Sequence, residues 1–235
     1  MISERMYKKI VGKRIRYEVL YRFETVAEII RKYKKGKLKI LDVGSGHGFM
    51  PFFSDTSWTI YGIDIDSNRI RRANKAHHPN AIFMKGDAEN FNFSQRFDVV
   101  LALDVIEHLD YPEKCLELIS KHLVNNGLLI VLNPNRYSLW TLLYDNKLIR
   151  LENHKHYWSP NSFAKMAKKF GFRHLETMPT LLLGNAIGWI IKDYRPLIKY
   201  DKYLGSLSPN HCCSSFLVFK KEDASKKSKR KIDET

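Results

Sequence analysis

The sequence has little cysteine and no long apolar run. Its three cysteines, Cys115, Cys212 and Cys213, lack the CxxC spacing of a zinc site and are too few for a disulfide framework. The first residues contain no apolar centre of the kind found in signal peptides, and no run approaches the roughly 20 apolar residues that cross a bilayer. We therefore expect a cytoplasmic protein with buried or inert thiols.

Acidic residues are scarce relative to basic ones. The chain has 40 lysines and arginines against 25 aspartates and glutamates, and its formal net charge is +15. Many of the basic residues lie before residue 38 and in the late segment KKSKRK. Such a surface favours polyanions, namely RNA, an anionic membrane face or a phosphorylated substrate. A lysine-rich surface that only contacts solvent is the alternative.

Hydrophobic patterning predicts an α/β fold preceded by an N-terminal helical extension at 1–37. Apolar positions between residues 14 and 35 follow helical spacing, which indicates one or two amphipathic helices that pack on the sheet or cover the site. From residue 38 onward strands alternate with helices, as in a parallel sheet with helices on both faces. The predicted strands are 38–43, 58–64, 81–85, 97–103, 127–132, 173–178 and 214–220, and the predicted helices are 67–76, 112–123 and 160–170, with a short one near 48–54.

Capping and turn residues support these boundaries. Asp66 or Ser67 can cap the helix after the second strand, and Ser159-Pro160 is typical of a helix start. The turn-forming residues 125–127 predict the end of the helix before the fifth strand, and Gly171 the end of the next helix. The predicted organisation is a main domain at 38–221, an insertion or lid within it at 179–210, and a basic disordered tail at 222–235.

The stretch KILDVGSGHGF places Gly44, Gly46 and Gly48 directly after the first predicted strand. Glycines allow positive φ and let a ligand contact the backbone, while a following helix points free N–H groups at it. A dinucleotide site has the pattern G-x-G-x-x-G, and here Phe49 stands at the position of its last glycine. Asp42 would repel a pyrophosphate but suits a ligand with an ammonium group. The pattern favours an amino acid linked to a nucleoside.

Further carboxylates follow the next two strands. Asp64 ends the second strand in YGIDID, where it can accept both hydroxyls of a ribose. Asp87 in KGDAENF follows the third strand, where it can accept from an adenine amine. Asp66 competes with Asp64, but we favour it as the helix cap because Ser-Asn-Arg follows it.

These motifs together resemble the class I S-adenosylmethionine-dependent methyltransferases of the type 11/12-like superfamily. The series ILDVGSGHG, YGIDID, GDAENF, FDVVLALDVIEHL and NNGLLIVLNPN matches that family in order and spacing over roughly residues 38–178. The resemblance implies S-adenosylmethionine as cofactor and a Rossmann-like doubly wound sheet of about seven strands with a reversed last strand. It also implies that the cofactor-binding residues are Asp42, Gly44, Gly46, Gly48, Asp64, Asp87, Ala88 and Leu103.

Methyl transfer from a sulfonium is an in-line displacement that depends mainly on alignment and exclusion of water. A hydroxyl acceptor also benefits from a general base. Asp104, Glu107 and His108 follow the fourth strand at helical spacing, so they can share one face. His154 and His156 follow the fifth strand, where the chain arches over the carboxyl ends of the strands. The predicted catalytic residues are His108, Asp104, Glu107 and His156.

The spacing D-x-x-E-H with a later histidine is similar to the E-x-x-E-H plus His metal site of small-RNA 2′-O-methyltransferases. It is also similar to the corresponding E-x-x-E-H segment of ubiquinone-pathway O-methyltransferases. Asp104, Glu107, His108 and His154 are therefore the possible ligands of a divalent ion that acidifies a hydroxyl. The first position here is Asp rather than Glu, and many family members carry this segment without a known metal. We favour no metal. For His154 and His156, packing or hydrogen bonding within a lid is the alternative.

The predicted insertion contains the apolar segment LLLGNAIGWII at 181–191, followed by basic and aromatic residues. This segment is too short to span a membrane, but it can lie at a membrane interface or form an apolar lid; a core helix is the alternative. An interfacial segment favours O-methylation of a small or lipid-like acceptor by a protein peripheral to an anionic membrane. RNA methylation is the less favoured hypothesis, because no RNP1-type motif is present. A third hypothesis is a protein that binds the cofactor without transferring methyl groups.

Overall fold

Strands and helices alternate from residue 38 onward in the computed structural model, as the sequence predicts. The structure describes residues 17–136, 138, 154–180, 200, 203–207 and 212–223, with the side chains of 17–20 excepted. The elements are α1 (Tyr17–Tyr33), β1 (Leu38–Val43), β2 (Trp58–Asp64), α2 (Ser67–Lys75), β3 (Ala81–Lys85), β4 (Phe97–Leu103), α3 (Pro112–His122), β5 (Leu123–Pro134), α4 (Pro160–Lys169), β6 (Phe172–Pro179) and β7 (Ser214–Lys221). Within these described residues, 3-10 turns lie at Met50–Phe52 and Ile106–His108.

The strands in the described part of the chain form one seven-stranded sheet in the order β3-β2-β1-β4-β5-β7-β6. The pairs among β1 to β5 are parallel, whereas β7 runs antiparallel to both β5 and β6. The predicted reversed last strand is therefore confirmed. The strand order changes direction between β1 and β4, and ligands of such sheets bind at the carboxyl ends of the strands beside this switch point.

Apolar side chains of alternate strand positions cover the two faces of the sheet. Ile40 and Val99 belong to the buried layer that contains the apolar residues of α1, from Phe23 onward. Leu41 and Val100 belong to the opposite layer, which contains the buried residues of α3 and α4. The helix α1 is thus part of the core, and it is fixed in place next to the strands that carry the predicted site.

The predicted caps are present. The Asp66 side chain accepts from the backbone N–H groups of Asn68 and Arg69 and caps α2, and Ser159 caps α4. The predicted turn at 125–127 does not end a helix, because α3 ends at His122 and β5 begins directly after it. The turn-forming residues lie instead at an irregularity in the pairing with β4, where Asn126 has a φ of 61°.

Three predictions concern residues outside the described part of the chain. The first 16 residues of the N-terminal extension, the apolar segment 181–191 and the basic tail from residue 224 fall there. Within the described part, no helix combines the length and apolarity that crossing a membrane requires.

Candidate active site

Asp64 fixes the glycine loop that follows β1. Its Oδ2 accepts from the Gly46 N–H at 2.9 Å, and its Oδ1 accepts from the Asp66 N–H at 2.9 Å. The Ser45 N–H donates to the Ile63 carbonyl at 2.8 Å, which ties the same loop to the end of β2. These bonds place the Asp64 carboxylate beside Gly46 at the carboxyl edge of the sheet.

The three glycines of the loop have positive φ, but they serve different purposes. A Cβ on Gly44 would lie 2.2 Å from Val105 Cγ2, and one on Gly48 would lie 2.6 Å from Phe83 Cζ. These two glycines are therefore required by contacts within the protein. A Cβ on Gly46, at a φ of 55°, would meet nothing within 4 Å. Gly46 thus borders open space, which we call the crevice, between the glycine loop and the carboxyl ends of β2 to β4.

We expect Gly46→Ala to weaken cofactor binding at little cost in stability. Gly36, between α1 and β1, is the matched control, because its φ is also positive and its Cβ would also meet nothing within 4 Å. Both alanine variants should lose about 1–2 kcal/mol of unfolding free energy from the left-handed backbone. Only Gly46→Ala should weaken binding of S-adenosylhomocysteine, by about tenfold or more, measured by calorimetry. Equal affinity of the two variants would contradict this use of the crevice.

The helix predicted near 48–54 is shorter than expected. The structure has a single 3-10 turn at Met50–Phe52, because Phe49 and Met50 turn inward and are buried. The Phe49 ring packs against Phe23 of α1, with ring centroids 5.8 Å apart. The N–H groups nearest the crevice are therefore those of the glycine loop itself.

Asp42 is a buried carboxyl group, with 2% of its surface exposed. Its Oδ2 has no hydrogen-bond partner in the described part of the chain. Burial, with a smaller contribution from the Asp64 charge, raises the pKa of Asp42 to about 7. Because a buried carboxylate needs a compensating partner, this group suits a ligand that carries positive charge, such as the ammonium and sulfonium of S-adenosylmethionine.

The raised pKa of Asp42 predicts pH-dependent cofactor binding. A cationic ligand favours the carboxylate, so the affinity for S-adenosylhomocysteine should rise by about tenfold between about pH 5.5 and about pH 7.5. In the unfolded chain Asp42 loses its proton near the ordinary pKa of an aspartate, whereas in the folded protein it keeps the proton up to about pH 7. The contribution of Asp42 to the free energy of unfolding is therefore full at low pH and falls as the pH rises toward about 7. Calorimetry of Asp42→Asn should show a much flatter pH profile; an unchanged profile would assign the dependence to another group.

The predicted adenine side of the crevice lies at the end of β3. The Asp87 Oδ1 accepts from the Glu89 N–H at 2.8 Å, and Ala88 beside it is half-buried. The Gly86 N–H donates to the Asp64 carbonyl at 3.1 Å, which brings the residue after Asp64 next to this loop. That residue, Ile65, is 69% exposed and offers an apolar surface for a purine ring. Ile65 is not among the residues predicted from the sequence, although its position between two aspartates at a strand end was an available signal.

The chain turns sharply at the end of β4, after the buried residue Leu103. Asp104 has a φ of 53°, which is uncommon for a residue other than glycine, and its N–H donates to the Leu132 carbonyl. The Asp104 carboxylate forms an ion pair with Arg22 of α1, with Nη1 and Oδ2 2.5 Å apart. Asp104 therefore points toward α1.

Three of the four possible metal ligands come together without Asp104. Glu107, His108 and His154 each offer a ligand atom, and these atoms all lie within 4.8 Å of one another. We call them the carboxylate–histidine cluster. Glu107 is completely buried, and the rings of His108 and His154 are 4.8 Å apart, edge to face.

His156 lies in the segment that completes this cluster, but it has different contacts. The Glu107 carbonyl accepts from the N–H groups of Lys155 and His156, at 2.9 and 3.1 Å. The His156 Nε2 donates to the Leu109 carbonyl at 3.1 Å, and its ring stacks on Trp158 with centroids 5.2 Å apart. These contacts support the alternative in which His156 holds the segment in place.

A family model described as a methyltransferase domain matches residues 14–177. Among relatives, a ubiquinone biosynthesis O-methyltransferase from Rickettsia conorii is 29% identical over 104 residues, which cover 43% of this chain and 36% of that protein. The chain spans about a third to a half of the length of the curated relatives it matches.

Solved structures share the fold. Magnesium protoporphyrin IX methyltransferase from Synechocystis PCC 6803, with bound S-adenosylhomocysteine, superposes with a TM-score of 0.66 at 16% identity, covering 93% of this chain and 94% of that one. The small RNA methyltransferase HEN1 superposes with a TM-score of 0.63 at 23% identity, covering 88% of this chain and 25% of that one. The family model matches most of the chain, and the sheet order and the glycine loop agree with it. The chain therefore belongs to the methyltransferase domain family, whose methyl donor is S-adenosylmethionine.

Proposed function

We propose that this methyltransferase methylates a hydroxyl oxygen of a small or lipid-like acceptor. The observation that carries the proposal is the carboxylate–histidine cluster of Glu107, His108 and His154. It follows β4 and lies at the same edge of the sheet as the glycine loop. A hydroxyl must lose its proton when it accepts a methyl group, and such a cluster can take that proton. A thiolate or an enolate acceptor would not require it.

The acceptor, S-adenosylmethionine and the carboxylate–histidine cluster together account for every bond and proton in the proposed reaction. The acceptor oxygen attacks the methyl carbon, the carbon–sulfur bond breaks, and the sulfur keeps the electron pair as the thioether of S-adenosylhomocysteine. The acceptor proton passes to the imidazole of His108. The buried Glu107 carboxylate stabilises the imidazolium that results, because the two side chains belong to one cluster.

The same side chains fit a divalent metal ion. One carboxylate and two imidazoles are a donor set that suits manganese, iron, cobalt or zinc. Glu107, His108 and His154 would hold the ion, which supplies acidification of the acceptor hydroxyl when bound. Asp104 pairs with Arg22 and lies outside this set. Visible absorption of added Co²⁺ tests the site without an acceptor, and loss of the signal in His154→Ala would support it.

A lipid-like acceptor is supported by an exposed apolar patch within the predicted insertion. Tyr200, Tyr203 and Leu207 are each more than 60% exposed, and Leu204 is 42% exposed. In the sequence they stand beside lysines at 199 and 202, and such a combination favours an anionic membrane surface. The relatives named as ubiquinone biosynthesis O-methyltransferases support the choice of oxygen.

We expect the apolar patch to bind vesicles that contain anionic lipid. The double variant Leu204→Glu/Leu207→Glu should reduce co-sedimentation with phosphatidylserine vesicles by about fivefold or more, since it replaces apolar side chains with charges that the vesicle repels. Ile82→Glu is the matched control, because Ile82 is also exposed, at 48%, but lies on β3. Equal binding of the two variants would remove the membrane from the proposal.

RNA is the second candidate acceptor, and a specific surface favours it. The exposed side of α2 carries Arg69, Arg71, Arg72 and Lys75, next to the end of β2 that holds Asp64. This charge, with the formal net charge of +15, suits a phosphate backbone. The likeness to a small RNA methyltransferase points in the same direction.

Radiolabelled S-adenosylmethionine distinguishes the acceptors. The purified protein is incubated with the labelled cofactor and an extract of its own cell, and label is counted in the organic, nucleic-acid and small aqueous fractions. Label in the organic or small aqueous fraction, absent with His108→Ala, is the expected result. Label that RNase releases would replace the proposal with RNA methylation. No transfer despite cofactor binding would indicate a binding protein without transferase activity.

A further inference from the structure

Arg22 of α1 lies outside the motifs of the glycine loop and of β4, yet it contacts the site. Its ion pair with Asp104 has a distance of 2.5 Å, and both side chains are 29% exposed. A pair of this partial burial is screened less by solvent than a surface pair. Arg22 therefore joins α1 to the first residue after β4.

Asp104 controls the path of the chain next to the crevice. Its φ of 53° costs about 1 kcal/mol or more relative to an ordinary backbone, so a contact is needed to hold it. The residue that follows, Val105, fills the space against Gly44 of the glycine loop. The turn at Asp104 thus sets how closely the end of β4 approaches the loop.

Phe23, the neighbour of Arg22 in α1, contacts the 3-10 turn that follows the same loop. The Phe23 ring packs on Phe49 and on Phe53, with centroids 5.8 and 6.1 Å apart. The first half of α1 therefore contacts two segments beside the crevice, the 3-10 turn after the glycine loop through Phe23 and the end of β4 through Arg22.

We propose that Arg22 is a positioning residue for the cofactor. Its guanidinium holds the Asp104 carboxylate, the left-handed turn at Asp104 keeps Val105 against Gly44, and the crevice keeps the width that the cofactor requires. The same ion pair keeps the Asp104 carboxylate away from the carboxylate–histidine cluster. This role concerns the cofactor alone, so it holds whichever acceptor the protein uses.

The test is calorimetric titration with S-adenosylhomocysteine, which needs no acceptor. Arg22→Ala and Asp104→Asn should each weaken binding by about tenfold, which corresponds to about 1.4 kcal/mol. The double variant should bind about as well as either single variant, because both changes remove one interaction. Arg22→Lys keeps the charge and should recover affinity to within about threefold of the unchanged protein.

Arg31→Ala is the matched control. Arg31 lies on the same helix and forms an ion pair with Asp55 at 2.7 Å, away from the glycine loop and the end of β4. If α1 contributed only to stability, Arg22→Ala and Arg31→Ala would lower the melting temperature and the affinity in parallel. A loss of affinity in Arg22→Ala no larger than in Arg31→Ala, or additive losses in the double variant, would overturn the proposal. Failure of the radiolabel transfer would leave this result unaffected, so the two proposals fail separately.

Discussion

Replacing His108 with alanine is expected to lower methyl transfer by about 100-fold or more, the range typical of a lost general base. Affinity for S-adenosylhomocysteine should stay within about threefold, because we expect the cofactor contacts to come from the glycine loop and the ends of β2 and β3. The measurement combines label transfer at saturating cofactor with calorimetry. A change in turnover without a change in affinity places His108 on the acceptor side of the crevice.

His174→Ala is the matched control for that experiment. His174 lies on β6, is exposed, and has its Nε2 3.0 Å from the Thr177 Oγ1. Its replacement should leave both turnover and affinity unchanged. Turnover in His108→Ala equal to that of His174→Ala would remove His108 from the chemistry, and Glu107→Gln would then be the next variant to measure.

Asp64→Asn is expected to reduce cofactor affinity by about 100-fold. The substitution removes the negative charge that strengthens the expected hydrogen bonds to the ribose hydroxyls, and hydrogen bonds to a charged group are worth about 1.5–3 kcal/mol each. The Asp64 carboxylate accepts from Gly46 in the protein, and we expect the same group to accept the ribose hydroxyls. The substitution keeps the shape of the side chain. Titration with S-adenosylhomocysteine measures the loss directly.

Asp98→Asn provides the comparison for Asp64→Asn. Asp98 lies on β4 and its Oδ2 accepts from the backbone N–H of Lys39 at 2.8 Å, so it too is a strand carboxylate that accepts from a neighbouring segment. Asp98 lies near the amino end of β4, whereas the glycine loop lies at the carboxyl ends of the strands. The Asp98→Asn variant should therefore bind the cofactor normally. Similar affinities of Asp64→Asn and Asp98→Asn would contradict the assignment of Asp64 to the cofactor.

The sequence predicted the strands of the cofactor half closely. The bounds of β1 to β4 agree with the predicted strands, because each apolar run in the sequence is followed at its carboxyl end by glycine or aspartate. The caps of α2 and α4 were also predictable, since a side-chain cap depends on residues only two or three positions away.

The remaining features depend on contacts between residues far apart in the chain. Helical spacing placed Asp104 with Glu107 and His108, but the positive φ of Asp104 turns its side chain toward Arg22. The short helix predicted near 48–54 is reduced to a single 3-10 turn, because Phe49 packs against Phe23. No periodic pattern in the sequence encodes either contact.

The location of the cofactor is the claim on which the whole account depends, and glycine amide resonances test it most directly. In ¹⁵N–¹H spectra recorded during titration with S-adenosylhomocysteine, the signals of Gly44, Gly46 and Gly48 should shift together, because these residues form the loop at the crevice. The signals of Gly36 and Gly171, which follow α1 and α4 far from that loop, should stay in place. Shifts confined to Gly36 or Gly171, or no shift at saturating ligand, would contradict the account.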